Sequence, residues 1–251
     1  MDADLLWVLV PVFAVISFVY GSVGLGGGSA YVATMALLGM DHKVMPMVAL
    51  SLNLIVAGGG FAYYLRGGHF RRHLFVPLML TSAPAAFLAA QVPVSRALFQ
   101  GLLGGLLLLA AVRLLVTPLL VKDQPRRETT NPLLLVLLGL VLGAAAGLTG
   151  IGGGIYLAPL LLVTRMATPK EAAALSSGLV VVNSAAGLAG RIVVGTSFPW
   201  SVFLPLAATV LVAGQLGAYG GARRFRPATV RAVVGWLVLL VSIRLLVSTY
   251  G

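Results

Sequence analysis

The chain has 251 residues, of which 59% are hydrophobic and only 9% are charged, and its mean hydropathy is +1.04. Soluble domains carry about 25% charged residues, so this composition excludes a soluble fold and indicates an integral membrane protein. The net charge of +11 does not indicate nucleic-acid binding, because the basic residues lie in short loops between apolar runs, where they set membrane orientation.

Apolar runs separated by turn and charge signals predict ten helices along the whole chain. The start is acidic at Asp2 and Asp4, unlike a signal peptide, so the first run is expected to belong to the mature protein. The longest polar stretch divides the chain into a first repeat at 1–121, a cytoplasmic linker at 122–131 and a second repeat at 132–251. The predicted helices are 5–20, 28–40, 44–65, 74–91, 97–119, 132–146, 154–164, 170–194, 199–221 and 228–249.

The two halves share a glycine pattern. Residues 21–28 read GSVGLGGG and residues 147–154 read GLTGIGGG, so both have the spacing GxxGxGGG. Other matches follow in the same order, which predicts an internal duplication. The additional matching segments are 49–51 with 174–176, 75–78 with 203–206, and 113–116 with 244–247.

The basic loops predict that the two halves are inserted in opposite senses. In the first half the basic loop follows the third helix, at 66–72, whereas in the second half it follows the fourth, at 223–231. The linker and the loop at 165–170 are also basic. If basic loops face the cytoplasm, the repeats are inverted and both termini lie outside. Inverted repeats are typical of transporters, which bind substrate near the midplane where the repeats meet.

Each glycine run is expected to form the turn of a helical hairpin. The predicted helices before the runs have about 14 to 16 residues and those after them about 11 to 13, whereas a span takes about 20. A re-entrant hairpin and a tilted spanning pair both fit these lengths. The predicted fold is an all-α polytopic membrane protein with two inverted five-element repeats. Each repeat has one such hairpin and three spanning helices.

Two buried glycine turns that meet would aim two helix N-termini, near Ser29 and Ile155, into one cavity. Helix N-termini attract anions, and glycine lets a ligand approach the backbone. The alternative is that small residues only let helices pack closely. The candidate substrate-binding residues are Gly24, Gly26, Gly27, Gly28, Ser29, Tyr31, Asn53, Thr149, Gly150, Gly152, Gly153, Gly154, Tyr156, Ser176, Ser177 and Asn183.

The remaining charges argue against an enzyme and against a cation transporter. All six Asp and Glu residues lie at termini, in loops or at helix ends, and proton relays or cation sites usually need one at mid-membrane. No metal site, cofactor motif or catalytic constellation is predicted. Arg113 and Arg244 lie inside predicted helices at matching repeat positions. They are expected either to snorkel to the headgroups or to attract anions on each side.

The doubled motif resembles the sulfite exporter TauE/SafE family, also called the 4-toluene sulfonate uptake permease family. Residues 150–160 (GIGGGIYLAPL) carry the strongest resemblance, while residues 24–33 have Ala33 where the family often has proline. The resemblance implies a bacterial-type inner-membrane permease for sulfite, sulfoacetate or other sulfonates. An anion channel and a secondary transporter for another small organic solute stay open as alternatives. The expected partners are the small anionic substrate and membrane lipid, and a homo-oligomer is left open.

Overall fold

The computed structural model describes residues 3–22, 26–120 and 131–224, and nine residues between 235 and 247 (235–236, 238–240, 242–243 and 246–247). All regular structure within these residues is helical. The helices are α1 (Ala3–Ser22), α2 (Gly28–Leu37), α3 (Met45–Arg66), α4 (Arg72–Ala90), α5 (Arg96–Leu120), α6 (Pro132–Thr149), α7 (Gly154–Val163), α8 (Pro169–Val193) and α9 (Trp200–Arg224).

The predicted fold class, an all-α polytopic membrane protein, is confirmed. Six helices in the described part of the chain are long and apolar enough to cross a membrane, namely α3, α4, α5, α6, α8 and α9. The predicted helix ends agree with the observed ones to within a few residues. The described residues from 235 to 247 are helical, which matches the predicted tenth helix at 228–249, whose other residues lie outside the described part.

The predicted lengths of the helices before the glycine turns are wrong. α1 has 20 residues and α6 has 18, and α6 is one of the six candidate membrane spans. The helices after the turns, α2 and α7, have only 10 residues each, or about 15 Å at 1.5 Å per residue. Each turn therefore joins a long helix to a half-length one, rather than two short helices.

α6 continues as a helix beyond its predicted end at residue 146 because its glycines pack against a neighbouring helix. A Cβ atom added to Gly139 would lie 2.5 Å from the carbonyl oxygen of Leu78 on α4, and Gly143 and Gly147 meet α4 carbonyls one and two turns further along. Small residues at such spacing let two helix backbones approach closely in a membrane. The contact with α4 therefore holds a glycine-rich stretch helical, although the sequence there favours a helix end.

The packing of the helices exchanges elements between the two halves. α4 of the first half packs along α6 of the second, and α9 of the second half packs along α1 of the first. Glycines mediate the second contact too, because Gly21 meets the backbone of Gly214. Each half thus packs its fourth helix on the first helix of the other half.

α3 and α8 form the centre of the molecule. In their apolar windows 67% and 61% of the residues are buried, against at most 39% in the other four candidate spans. They pack on each other, α2 and α7 pack on α3 and α8 respectively, and α4 packs on α8 as α9 does on α3. α8 starts at a capping box, in which Thr168 and Glu171 each bond the other's backbone N–H. This arrangement places both glycine turns beside the central pair.

Candidate functional site

The two glycine turns meet at the central pair of helices. A Cβ atom added to Gly28 would lie 2.8 Å from the carbonyl oxygen of Ile151, so the backbones of the two turns are in contact. The convergence expected from the sequence is therefore present in the fold. Because α3 and α8 are the two most buried candidate spans, this meeting point lies inside the protein.

Asn53 of α3 and Val180 of α8 each touch both turns. A Cβ atom on Gly26 would lie 2.8 Å from Asn53 Oδ1 and 2.8 Å from Val180 Cγ1. One on Gly152 would lie 3.0 Å from Val180 Cγ1 and 3.1 Å from Asn53 Nδ2. The two side chains thus lie between the turns, and one is a polar amide where the other is apolar.

The turn conformation requires glycine at several positions. Gly27 and Gly153 precede α2 and α7 with φ of 80° and 83°, and Gly150 and Gly152 also have positive φ. This left-handed conformation costs an ordinary residue about 1–2 kcal/mol. The pattern GxxGxGGG therefore encodes a backbone shape as well as close packing.

Both turns deliver a helix N-terminus to the site. The first N–H groups of an α-helix have no partner within the helix, and the N-cap glycines Gly27 and Gly153 provide no capping side chain. Such an end carries a partial positive charge and binds anions readily. Gly26, Gly28 and Ser29 at the first end and Gly152 and Gly154 at the second are buried.

Two amide side chains bind the carbonyl groups of the second turn. Asn53 Nδ2 donates to the Gly150 carbonyl at 3.4 Å, and Asn183 Nδ2 donates to the Gly152 carbonyl at 3.3 Å. Asn183 Oδ1 accepts a hydrogen bond from the Ser82 hydroxyl of α4. Both amides are fully buried, so α3, α4 and α8 together fix the backbone of the second turn.

Hydroxyl groups hold the first hairpin together. Tyr31 of α2 and Ser17 of α1 are joined at 2.8 Å, and Ser29 of α2 and Tyr20 of α1 at 2.9 Å. The Tyr31 ring also stacks on Phe13 with centroids 4.7 Å apart. The hydroxyls of Ser29 and Tyr31 therefore have protein partners already.

Two other predicted residues also have their hydroxyl groups satisfied locally. Thr149 donates to the Ala145 carbonyl at 2.7 Å, and Ser177 donates to the Ala173 carbonyl at 2.8 Å, each within its own helix. These bonds leave them as weaker candidates for ligand contact. Gly24, also predicted as a site residue, lies outside the described residues.

Besides Nε of Arg191, four buried side-chain polar groups have no hydrogen-bond partner among the described residues. They are Asn53 Oδ1, Tyr156 OH, Ser176 Oγ and Ser184 Oγ. Buried polar groups are nearly always hydrogen-bonded, and an orphan calls for a ligand or water. Three of the four are predicted site residues; Ser184, on α8, was not predicted.

Arg191 is a functional candidate that the sequence did not single out. It lies in the last turn of α8. Its Nη2 donates to the carbonyl oxygens of Gly147 and Leu148 at 2.9 and 3.0 Å. It thereby binds the end of α6 just before the second glycine turn. Arg113 lies in α5 as expected, and Arg244 lies outside the described residues.

Comparison with known proteins gives one family match and one similar relative. The family model "Sulfite exporter TauE/SafE" matches residues 9–245. A protein of Sinorhizobium fredii, named "Probable membrane transporter protein y4hK", is 31% identical over 251 residues, which is 98% of this chain and 100% of the relative. No solved structure matches the chain.

Proposed function

Because this chain belongs to the sulfite exporter TauE/SafE family of membrane transporters, we propose that it moves small sulfur-containing oxyanions by alternating access. Sulfite, sulfoacetate and other sulfonates are the substrates meant. The transporter resides in the inner membrane of a bacterial-type cell. The substrate binds between the two glycine turns, and no chemical conversion takes place.

One observation carries the proposal: two helix N-termini meet inside the protein beside orphaned buried polar groups. The backbones touch at Gly28 and Ile151, and Asn53, Tyr156 and Ser176 keep unused polar atoms. Close packing alone explains the glycines of α6 that face α4, because no buried side-chain polar atom of the described residues at that contact lacks a hydrogen-bond partner. It does not explain why buried amide and hydroxyl groups gather at the turns.

The available groups suit an oxyanion that binds without a full counter-charge. Backbone N–H groups at Gly28 and Gly154 and the positive ends of α2 and α7 replace part of the water shell. The hydroxyls of Ser176 and Tyr156 add donors, and Asn53 and Asn183 keep the second turn in shape. A sulfonate or sulfite group presents three oxygen acceptors, which matches several converging donors.

The exchanged packing of the halves supports alternating access. α1 with α9 and α4 with α6 form equivalent contacts, which supports two repeats related by a two-fold axis. We assign the repeats opposite insertion from the basic loops, with the segments 66–72 and 165–170 on the cytoplasmic side and both termini outside. One repeat then rocks against the other about the central site.

The proposal is tested by transport in proteoliposomes with ³⁵S-labelled sulfite and sulfoacetate. We expect saturable uptake that is accelerated by unlabelled anion on the opposite side, which is the behaviour of a carrier. Asn53→Val should lower the transport rate at least about tenfold, which corresponds to a free-energy change of about 1.4 kcal/mol. Thr81→Val removes a comparable interhelical bond, from Thr81 to the Val136 carbonyl at 2.9 Å, but lies on the α4–α6 contact and should change the rate less than twofold.

The alternatives give different results in the same system. Large unitary anion currents without counterflow would identify an anion channel. Uptake of another organic solute, with no transport of either sulfur anion, would overturn the substrate assignment. Equal rates for Asn53→Val and Thr81→Val would show that the substrate does not bind at the glycine turns.

A further inference from the structure

A cavity of about 340 Å³ opens at the end of the helix bundle where α3 begins and α8 ends. Its wall comes from three loop regions and the end of α6. The polar and charged side chains around it are His42, Lys43, Gln91, Arg191 and Thr196. A volume of this size suits a small ligand.

The charges around this cavity leave it positive. Lys43 and Arg191 contribute two positive charges, and one carboxylate lies near them, that of Asp41, which is 3.3 Å from His42 and accepts from the backbone N–H of Lys43. No carboxylate among the described residues pairs with the side chains of Lys43 or Arg191. Lys43 is exposed, whereas Arg191 is partly buried. Two cations therefore face the cavity against one nearby carboxylate, and neither is paired with it through its side chain.

Arg191 has donor capacity left after its structural bonds. Its Nη2 binds the carbonyls of Gly147 and Leu148, which are neutral groups, so the guanidinium keeps its charge. Its Nε is buried and has no partner among the described residues. A guanidinium carries five N–H donors in a planar fork that suits oxyanions.

The cavity adjoins the second glycine turn. Leu148 contributes to its wall and is followed by Thr149 at the end of α6 and by the left-handed Gly150. An anion bound at Arg191 therefore lies beside the end of α6. That end leads through the second glycine turn to the N-terminus of α7. The same arginine contacts both the cavity and the backbone that leads into the site.

Toward the opposite end of α3 and α8, aromatic rings and an ion pair join the two halves. Phe61 and Phe75 pack over Gly178 of α8, where an added Cβ would lie 2.9 and 2.8 Å from their rings. Arg71 and Glu171 form an ion pair at 2.9 Å across the two halves. A small ligand in this conformation thus has an open cavity at one end and packed aromatic rings at the other.

We propose that the cavity between Lys43 and Arg191 is an anion-docking site, from which a small oxyanion moves to the glycine turns. The identity of that oxyanion rests on the proposed function. The loops at this end carry few basic residues, so it is the outward-facing end in the assigned orientation. The docking site binds substrate from the outside, and the substrate then moves to the second glycine turn.

Cysteine labelling tests the cavity without requiring transport, because the natural chain contains no cysteine. Thr196→Cys places one thiol in the cavity wall, and Ser95→Cys places one on an exposed loop at the same end. The purified protein is labelled at low salt with an anionic sulfonatoethyl and a cationic trimethylammonioethyl methanethiosulfonate. The ratio of anionic to cationic rates should be at least about fivefold higher at Thr196→Cys, and salt should reduce it.

Lys43→Gln should bring the ratio at Thr196→Cys down toward that at Ser95→Cys. Arg96→Gln removes the same charge from an exposed residue at this end that does not face the cavity, and it should leave the ratio unchanged. Equal ratios at the two cysteines, or equal effects of the two charge removals, would overturn the docking site.

Transport separates this proposal from the proposed function. Lys43→Gln should raise the apparent KM for sulfite several-fold at low salt with the maximal rate unchanged, while Arg96→Gln should leave both parameters within twofold. Saturable sulfite transport with an unchanged KM in Lys43→Gln would overturn the docking site and leave the proposed function standing. Charge-selective labelling without transport of either sulfur anion would support the docking site and overturn the proposed substrate.

Discussion

The two glycine turns share a sequence pattern but are fastened in different ways. Hydroxyl pairs within the first hairpin, Ser17 with Tyr31 and Tyr20 with Ser29, join α1 to α2. The positions that match Tyr20 and Tyr31 in the second half are Ala146 and Leu157, which carry no hydroxyl. Three side chains from outside the second hairpin bind its backbone carbonyls instead. They are Asn53, Asn183 and Arg191.

This difference shows that the duplicated pattern specifies the N-cap of the helix after each turn and not its surroundings. Gly27 and Gly153 are both left-handed, whereas Gly152 is left-handed and its match Gly26 is not. The supporting side chains have diverged, so the first turn is stabilised by its own hairpin and the second by α3 and α8. A movement of α8 relative to α7 would therefore be felt directly at the second turn, through Asn183, and only through packing at the first.

Replacing the N-cap glycines is expected to give the largest effects. Gly27→Ala and Gly153→Ala both force alanine into the left-handed region, at about 1–2 kcal/mol each. At Gly27 the new Cβ would also lie 2.8 Å from the buried Tyr31 ring, which adds about 1–3 kcal/mol of overpacking. At Gly153 its nearest neighbour would be 3.3 Å away. Thermal unfolding in detergent should show a larger loss of stability for Gly27→Ala.

Gly39→Ala is the matched control for those two variants. Gly39 has φ of 73°, but an added Cβ there would meet nothing within 4 Å, so this variant reports backbone strain alone. Gly153→Ala should resemble it, and Gly27→Ala should be clearly worse. If all three variants unfold at the same temperature, Tyr31 does not fasten the first turn in the way described.

Removing Asn183 is expected to have the next largest effect. Asn183→Leu keeps a similar volume but leaves the Gly152 carbonyl and the Ser82 hydroxyl unpaired inside the protein. An unsatisfied buried group costs about 1–3 kcal/mol. The loss of stability measured by thermal unfolding should fall in that range.

A double-mutant cycle with Ser82→Ala tests the connection to α4. The two residues share a hydrogen bond, so the effects of Asn183→Leu and Ser82→Ala should not add, because the second change removes a group that the first left unpaired. Strictly additive losses would mean that Asn183 supports the turn without the help of Ser82.

The sequence located the turns but not their supports. Apolar runs and the GxxGxGGG spacing were enough to predict the helices and the convergence of two turns, because both depend on local patterns. Asn53 and Asn183 stood out as polar residues in apolar helices. Which carbonyl each one binds depends on how α3 and α8 are rotated against the second turn, and that is set by packing among residues far apart in the chain.

Arg191 and the length of α6 show the same limit. Arg191 lies at the end of the predicted helix 170–194, and no local pattern indicates that it binds carbonyls 43 and 44 residues earlier. The stretch from 143 to 147 is rich in glycine and alanine and was expected to end a helix. It remains helical because α4 packs closely against it, which a local pattern does not reveal.

The smallest effect is expected for Tyr31→Phe. This change removes one of the two hydroxyl pairs that join α1 to α2 but keeps the ring that stacks on Phe13. Ser17 retains its bond to the Phe13 carbonyl, so only the Tyr31 contribution is lost, about 0.5–1.5 kcal/mol. Tyr63→Phe, at a tyrosine that is 63% exposed, should leave the unfolding temperature unchanged. If Tyr31→Phe lowered the stability as much as Asn183→Leu does, this would contradict the view that several individually weak hydrogen bonds hold the first turn.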